Sequence, residues 1–180
     1  MVSIISIFFG FILLMLAEWR SVRSGKSAHA ALQVSGYALI ALGMLLALLG
    51  STQNMRVPEG MRLVCLGLAI TGGAALLWTV FLEIPLGVRR YKVAAGHVYA
   101  RGSYGQCRHP GFWCFLLFSM GFALWSNNSL VFIDFSIANA LNLLLILLQD
   151  QYTFPMQFVD YREYAKKVPF LVPRFKKQHQ

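Results

Sequence analysis

Apolar residues in this chain do not alternate with polar ones. They come in five long runs, separated by polar and mostly basic segments. The first run is Val2 to Ala17, closed by Glu18, Trp19 and Arg20. The second covers about Ala31 to Gly50, and the third covers Leu63 to Leu82 without a charge. The fourth begins at Pro110 and ends near Trp125 and Ser126. The fifth runs from Ser129 to Gln149, interrupted by Asp134, Asn139 and Asn142. A helix needs about 20 apolar residues to cross a bilayer, within a range of about 17–25. The second, third and fifth runs meet this directly, and the first and fourth meet it with their flanking residues. The pattern predicts an all-α integral membrane protein with five transmembrane helices, its surface facing the lipid bilayer.

Composition agrees. Of 180 residues, 57% are hydrophobic and only 13% are charged, against about 25% charged in a soluble domain. That excludes a disordered chain, a coiled coil and a disulfide-stapled secreted domain. The length predicts one membrane domain over 1–180, with a three-helix part over 1–95 and a second part over 96–180. Nothing basic precedes Val2, so the first run reads as a retained helix and not as a cleaved signal peptide. Ala69 with Gly73, and Gly36 with Gly43, predict close helix packing.

The net charge of +9 sets the orientation. With the N-terminus outside and five spans, the inner segments hold fourteen of the sixteen lysines and arginines, leaving only Arg56 and Arg62 outside. This follows the positive-inside bias and puts the C-terminus in the cytosol. The charge is then a membrane-face charge that attracts anionic headgroups. No nucleic-acid-binding motif accompanies it, and no nucleic-acid partner is expected. Cys65, Cys107 and Cys114 form no CxxC pair, so no metal site is expected either. The pattern fixes no oligomeric state.

Chemistry concentrates in the second half. Gly102 to Pro110 reads GSYGQCRHP, immediately before the fourth run. Proline suits the first turn of a helix, which puts Arg108 and His109 at a helix N-terminus. The free N–H groups and the dipole there suit an anion, and a guanidinium adds a bidentate clamp. An arginine at an inner helix end also snorkels to headgroups without any ligand. Asp150 ends the fifth run at the same face. Glu18 and Glu83 close the first and third runs there, each within reach of an inner arginine. Asp134 lies nearer the outer surface, close enough to be wet. The stretch 160–167 predicts a short helix with Glu163 and Lys167 paired at i,i+4, Tyr161 and Tyr164 on one face, and Pro169 as its stop.

Two blocks carry a resemblance. The first is Val98-Tyr99-Ala100-Arg101-Gly102-Ser103-Tyr104, followed by Arg108-His109-Pro110 and the aromatic Phe112. The second is Asp150, then Tyr161, Tyr164, Val168, Pro169, Leu171, Val172 and Pro173. Over about residues 96–175 the chain resembles the isoprenylcysteine carboxyl methyltransferase family, whose pattern reads roughly G-P-Y-x-x-x-R-H-P-x-Y-x-G, then a pair of acids and Y-x-x-Y-x-x-x-V-P. It departs from that pattern at Ser103 (usually Pro), Phe112 (Tyr), Cys114 (Gly) and Gln149 (the first acid), and in lacking the glycine of the link after Asp150.

The resemblance implies a membrane methyltransferase that uses S-adenosylmethionine at the cytosolic face. It implies a cofactor site of Gly102, Tyr104, Arg108, His109, Pro110, Phe112, Asp150, Tyr161, Tyr164 and Val168, and a lipophilic acceptor arriving from the bilayer. Methyl transfer is an in-line displacement that needs alignment and exclusion of water more than a nucleophile. No catalytic residue is assigned; His97, Glu83 or Asp150 would be the base only for an acceptor that must lose a proton. The chain length points to a relative in a prokaryotic inner membrane. Two alternatives remain: a sterol-reductase-like oxidoreductase using NADPH, which the apolar stretch after Pro110 disfavours, and a non-catalytic protein that keeps the fold.

Overall fold

A computed structural model of the protein describes residues 1–23, 26–50 and 54–174. Among these residues the chain is all-helical, with no strand. Helix α1 covers Val2–Arg23, α2 Lys26–Leu49 and α3 Glu59–Leu77. A π-helical turn, Trp78–Glu83, carries α3 straight into α4, Ile84–Arg90. Helix α5 covers Pro110–Ser126 and α6 Ser129–Leu148. A second π turn, Gln149–Thr153, leads into α7, Phe154–Gln157, and α8 is Tyr161–Lys167.

Four helical stretches are long and apolar enough to cross a membrane: Val2–Arg23, His29–Leu49, Glu59–Arg90 and Ser129–Gln157. Helix α5 is apolar but shorter, at 17 residues. Large apolar side chains such as Phe9, Leu45, Leu63, Ile70 and Leu77 face outward. In water such a surface would be a liability, whereas hydrocarbon is a good solvent for it. This is the architecture of an integral membrane protein.

Both long interruptions have one cause. Pro85 and Pro155 sit in the first turns of α4 and α7. A proline supplies no N–H, so the carbonyl one turn back loses its partner and the helical ladder widens. The third run therefore does not stop at Leu82, nor the fifth at Gln149. Each continues past a π turn that carries an acid, Glu83 in one and Asp150 in the other.

Small residues set the helix contacts. A Cβ added to Gly10 would stand 2.8 Å from the Gly36 carbonyl oxygen, and one on Gly43 2.7 Å from that of Ser3, so α1 and α2 touch backbone to backbone. A Cβ on Gly72 would meet the Phe118 nitrogen at 2.5 Å, and one on Gly121 the Ala69 nitrogen at 2.8 Å. The close approach of α3 to α5 thus runs through Ala69 and Gly72. Gly73, expected as the partner of Ala69, meets only the Phe118 ring. At the other end of this pair, the left-handed Asn127 (φ 55°) closes α5, and its side-chain oxygen accepts the Val57 N–H at 3.0 Å. Asn128 caps α6 by accepting the Leu130 N–H at 2.9 Å.

Two expectations are corrected here. Asp134 is not wet: it is 0% exposed on α6, and neither carboxyl oxygen has a hydrogen-bond partner among the described residues. Neither Glu18 nor Glu83 pairs with an arginine. Glu18 accepts from Gln149 at 2.8 Å and Thr153 at 3.2 Å, which ties α1 to the second π turn.

Candidate functional site

The loop after α4 and the segment after α7 meet at the end of the bundle where α5 begins. Hydrogen bonds join them along their length. Val159 N–H donates to the Gly96 carbonyl at 2.9 Å. Asp160 accepts the Val98 N–H at 2.9 Å and stands 3.2 Å from His97 Nδ1. Beyond α8, Arg108 N–H donates to the Pro169 carbonyl at 3.0 Å and Arg174 N–H to that of Gln106 at 3.1 Å. Trp113 Nε1 donates to the Leu171 carbonyl at 2.8 Å. The two sequence blocks are therefore one structural unit.

At its centre is Asp150. Its Oδ1 accepts the Tyr161 hydroxyl at 2.5 Å and lies 3.1 Å from Arg108 Nη1 and 3.3 Å from His109 Nε2. The His109 ring stacks on Phe154 and meets Phe170 edge-on, at 5.9 and 5.2 Å between centroids. The Arg108 guanidinium carbon lies 5.6 Å from the centre of the Phe170 ring. These rings and the carboxylate hold both basic side chains largely out of water. Arg108 Nε is buried with no hydrogen-bond partner among the described residues.

The tyrosines form a second tier. Tyr161 and Tyr164 are buried, edge to face at 5.7 Å, with Val168 packed against them. Tyr164 donates to the Tyr104 carbonyl at 2.6 Å, and Tyr104 donates to the Thr79 carbonyl at 3.2 Å. Burial holds all three phenols above their ordinary pKa; for Tyr161 the hydrogen bond to Asp150 adds to it, and for Tyr104 the nearby Glu83 charge. They are protonated donors at neutral pH. Glu163 and Lys167, expected as a pair on α8, form no ion pair.

Glu83 holds the turn that carries Tyr104. Its carboxylate accepts both the Ser103 N–H at 2.7 Å and the Ser103 hydroxyl at 2.5 Å. Gly102 has a φ of +58°, and a Cβ there would collide with Glu83 Oε1. Only glycine meets both demands, the left-handed backbone and the close carboxylate.

A cavity of about 520 Å³ opens beside these groups. Of the ten residues implied by the resemblance, Tyr104, Arg108, His109, Phe112, Tyr161 and Tyr164 line it. The other four support it from behind. Gly102 and Asp150 hold lining residues by hydrogen bonds or close contact, Val168 packs under the tyrosines, and Pro110 starts α5. His97 also lines the cavity, while Glu83 is engaged with Ser103. No sequence motif marks the cavity's other half. Phe11 and Leu14 of α1, Ile40 of α2 and Leu76 of α3 form an apolar chamber continuous with the polar end. A chamber between helices depends on which helices are neighbours, and a local pattern does not carry that information.

The chain matches no protein-family model, no curated protein and no solved structure.

Proposed function

We propose that this protein is an S-adenosylmethionine-dependent methyltransferase acting on a lipophilic or membrane-associated small molecule. One observation carries the reading: a single cavity joins a polar, aromatic end at Arg108, His109 and Tyr104 to an apolar chamber between α1, α2 and α3. A donor that is polar and an acceptor that is greasy need such a two-ended space. Its volume lies within the roughly 300–1,000 Å³ common for small-molecule sites.

The residues present fit the cofactor. Arg108 keeps a buried, unpartnered Nε for a carboxylate while Asp150 holds its other end. Tyr104 and Tyr161 offer ring faces to a cation, and Phe112 offers an apolar wall to an aromatic base. The bound cofactor would supply an electrophilic methyl group. The chain's own part is to align the two reactants and keep water out, through the tyrosine tier and the segment paired along Gln106 to Trp113. For an acceptor that must lose a proton, His97 is the titratable side chain on the cavity wall with an exposed partner, Asp160.

The orientation follows from charge. We read α5 as a fifth span, the N-terminus as outside and the site as cytosolic, because the segments that build it carry most of the lysines and arginines. A prokaryotic plasma membrane is the proposed location.

Thermal unfolding of the detergent-purified protein tests the reading. Ligand at 100 times its dissociation constant adds about 2.7 kcal/mol of stability. S-adenosylhomocysteine and S-adenosylmethionine are expected to raise the midpoint, and NADPH is not. A shift with NADPH alone, or none with millimolar adenosyl ligand, overturns the reading.

A further inference from the structure

Asn142 stands on α6 within the helix's apolar length and lines the cavity. Its neighbours on the wall are Phe115, Leu145 and Ile146. Its amide makes no hydrogen bond among the described residues. The contrast with Asn139, one turn earlier, is direct. Asn139 donates to Ser119 Oγ and to the Phe135 carbonyl, each at 2.7 Å, and so serves the contact between α5 and α6. Gln149, two turns later and also on the wall, donates to Glu18. Asn142 is thus the amide on this face of α6 left to the cavity. It offers two donors and one acceptor, and an amide in apolar surroundings is costly without a partner.

We propose that Asn142 reads a hydrogen-bonding group, a hydroxyl or carbonyl, carried part-way along the apolar chain of the molecule that fills the cavity. This rests on the reading of the cavity as an acceptor chamber and narrows the acceptor class. It is an amphiphile with a second polar group some distance below its head, and not a plain hydrocarbon tail. The seven residues from Asn142 to Gln149 rise about 10 Å along a helix. The second group therefore sits about that far from the level of Gln149, towards the middle of the bilayer.

The test uses the full chain in lipid nanodiscs. The probes are octadecanoic acid and its hydroxylated counterparts, with the hydroxyl at successive positions near mid-chain, and affinities are read by displacement of a fluorescent fatty acid. The parent protein is expected to bind one hydroxylated acid about five- to tenfold more tightly than the plain acid, the worth of one hydrogen bond. Asn142→Leu is expected to erase that preference while binding the plain acid at least as well, which also shows that the chamber is intact. Asn142→Ser, which keeps a hydroxyl, is expected to retain part of it. No preference in the parent at any hydroxyl position, no binding of any of these acids, or a preference that persists in Asn142→Leu would each overturn the proposal. S-adenosylhomocysteine stabilisation is measured on the same samples. If it fails while the preference stands, the methyltransferase reading falls and the role of Asn142 does not.

Discussion

Tyr161 and Asp150, eleven residues apart, meet at 2.5 Å, and that contact fixes α8 beneath the carboxylate that also holds Arg108 and His109. One acid therefore anchors three donors from two distant segments. Tyr161→Phe removes one donor and leaves the shape. It is expected to lower stability by about 1.5 kcal/mol and to weaken S-adenosylhomocysteine binding several-fold. Asp150→Ala is expected to cost more, because it strands two basic groups at once. Arg20→Ala should change neither. Unfolding midpoints with and without ligand check all three.

The contact of α3 with α5 predicts a sharp difference between two glycines. Gly121→Ala puts a methyl group against the Ala69 backbone, which cannot yield as a side chain would. An overpacking cost of about 1–3 kcal/mol is expected. Gly67, on the same helix as Ala69, has open space around it. Gly67→Ala should leave the midpoint unchanged or slightly raised, since alanine is the better helix former. Equal effects at the two sites would contradict the packing described above.

Asp134 predicts a gain. Its side chain is fully buried on α6, and neither oxygen has a hydrogen-bond partner within bonding geometry among the described residues. Asp134→Asn keeps the shape and removes a buried carboxyl whose desolvation outweighs the help it draws from Ser3 and the N-terminal charge. The variant is expected to be more stable than the parent by about 1 kcal/mol or more at neutral pH. A clear loss of stability in the same unfolding assay would show that the carboxyl has a favourable partner.

Asp160 predicts a pH dependence. Burial pushes its carboxyl up, but the hydrogen bonds from the Val98 N–H and His97 together outweigh that and hold it below its ordinary value. A carboxyl lowered in the folded state stabilises fully above its unfolded pKa of about 3.9. The contribution is lost as pH falls through the lower folded value. The midpoint difference between the parent and Asp160→Asn should therefore be steady near neutrality and shrink below about pH 4. The pair is half exposed, so the difference is small. A difference that grows on acidification would reverse the sign and reject the assignment.

Local signals carried the parts of the fold that local chemistry decides. Pro110 opens α5 and Pro169 follows α8, as each proline's fixed geometry requires. The apolar runs marked the long helices, but not their true ends, because Pro85 and Pro155 bend the ladder without stopping it. Those prolines, each a few residues after an acid, were the readable sign of the π turns. Partners from other helices were not readable. Glu18 and Glu83 looked like partners for arginine, yet Gln149, Thr153 and Ser103 take them. Asp134 sits early in α6, near an end of its apolar run, but packing on all sides seals it off. In the candidate site, the residues near Arg108 and Tyr161 stood out as motifs. The apolar chamber of Phe11, Leu14 and Ile40 did not, since it has no motif to show.

The pairing of Arg108 with Pro169 and of Gln106 with Arg174 also sets an order of events during synthesis. Helices leave the ribosome one after another, whereas this pairing waits for the segment beyond α8. At about 5–20 residues per second, the stretch between Arg108 and Pro169 takes roughly 3–12 s to make. Through that interval the basic end of α5 already exists without the segment that covers it. The nascent protein can therefore be settled among lipids before the polar end of its cavity is walled in, and that closure arrives in one late step.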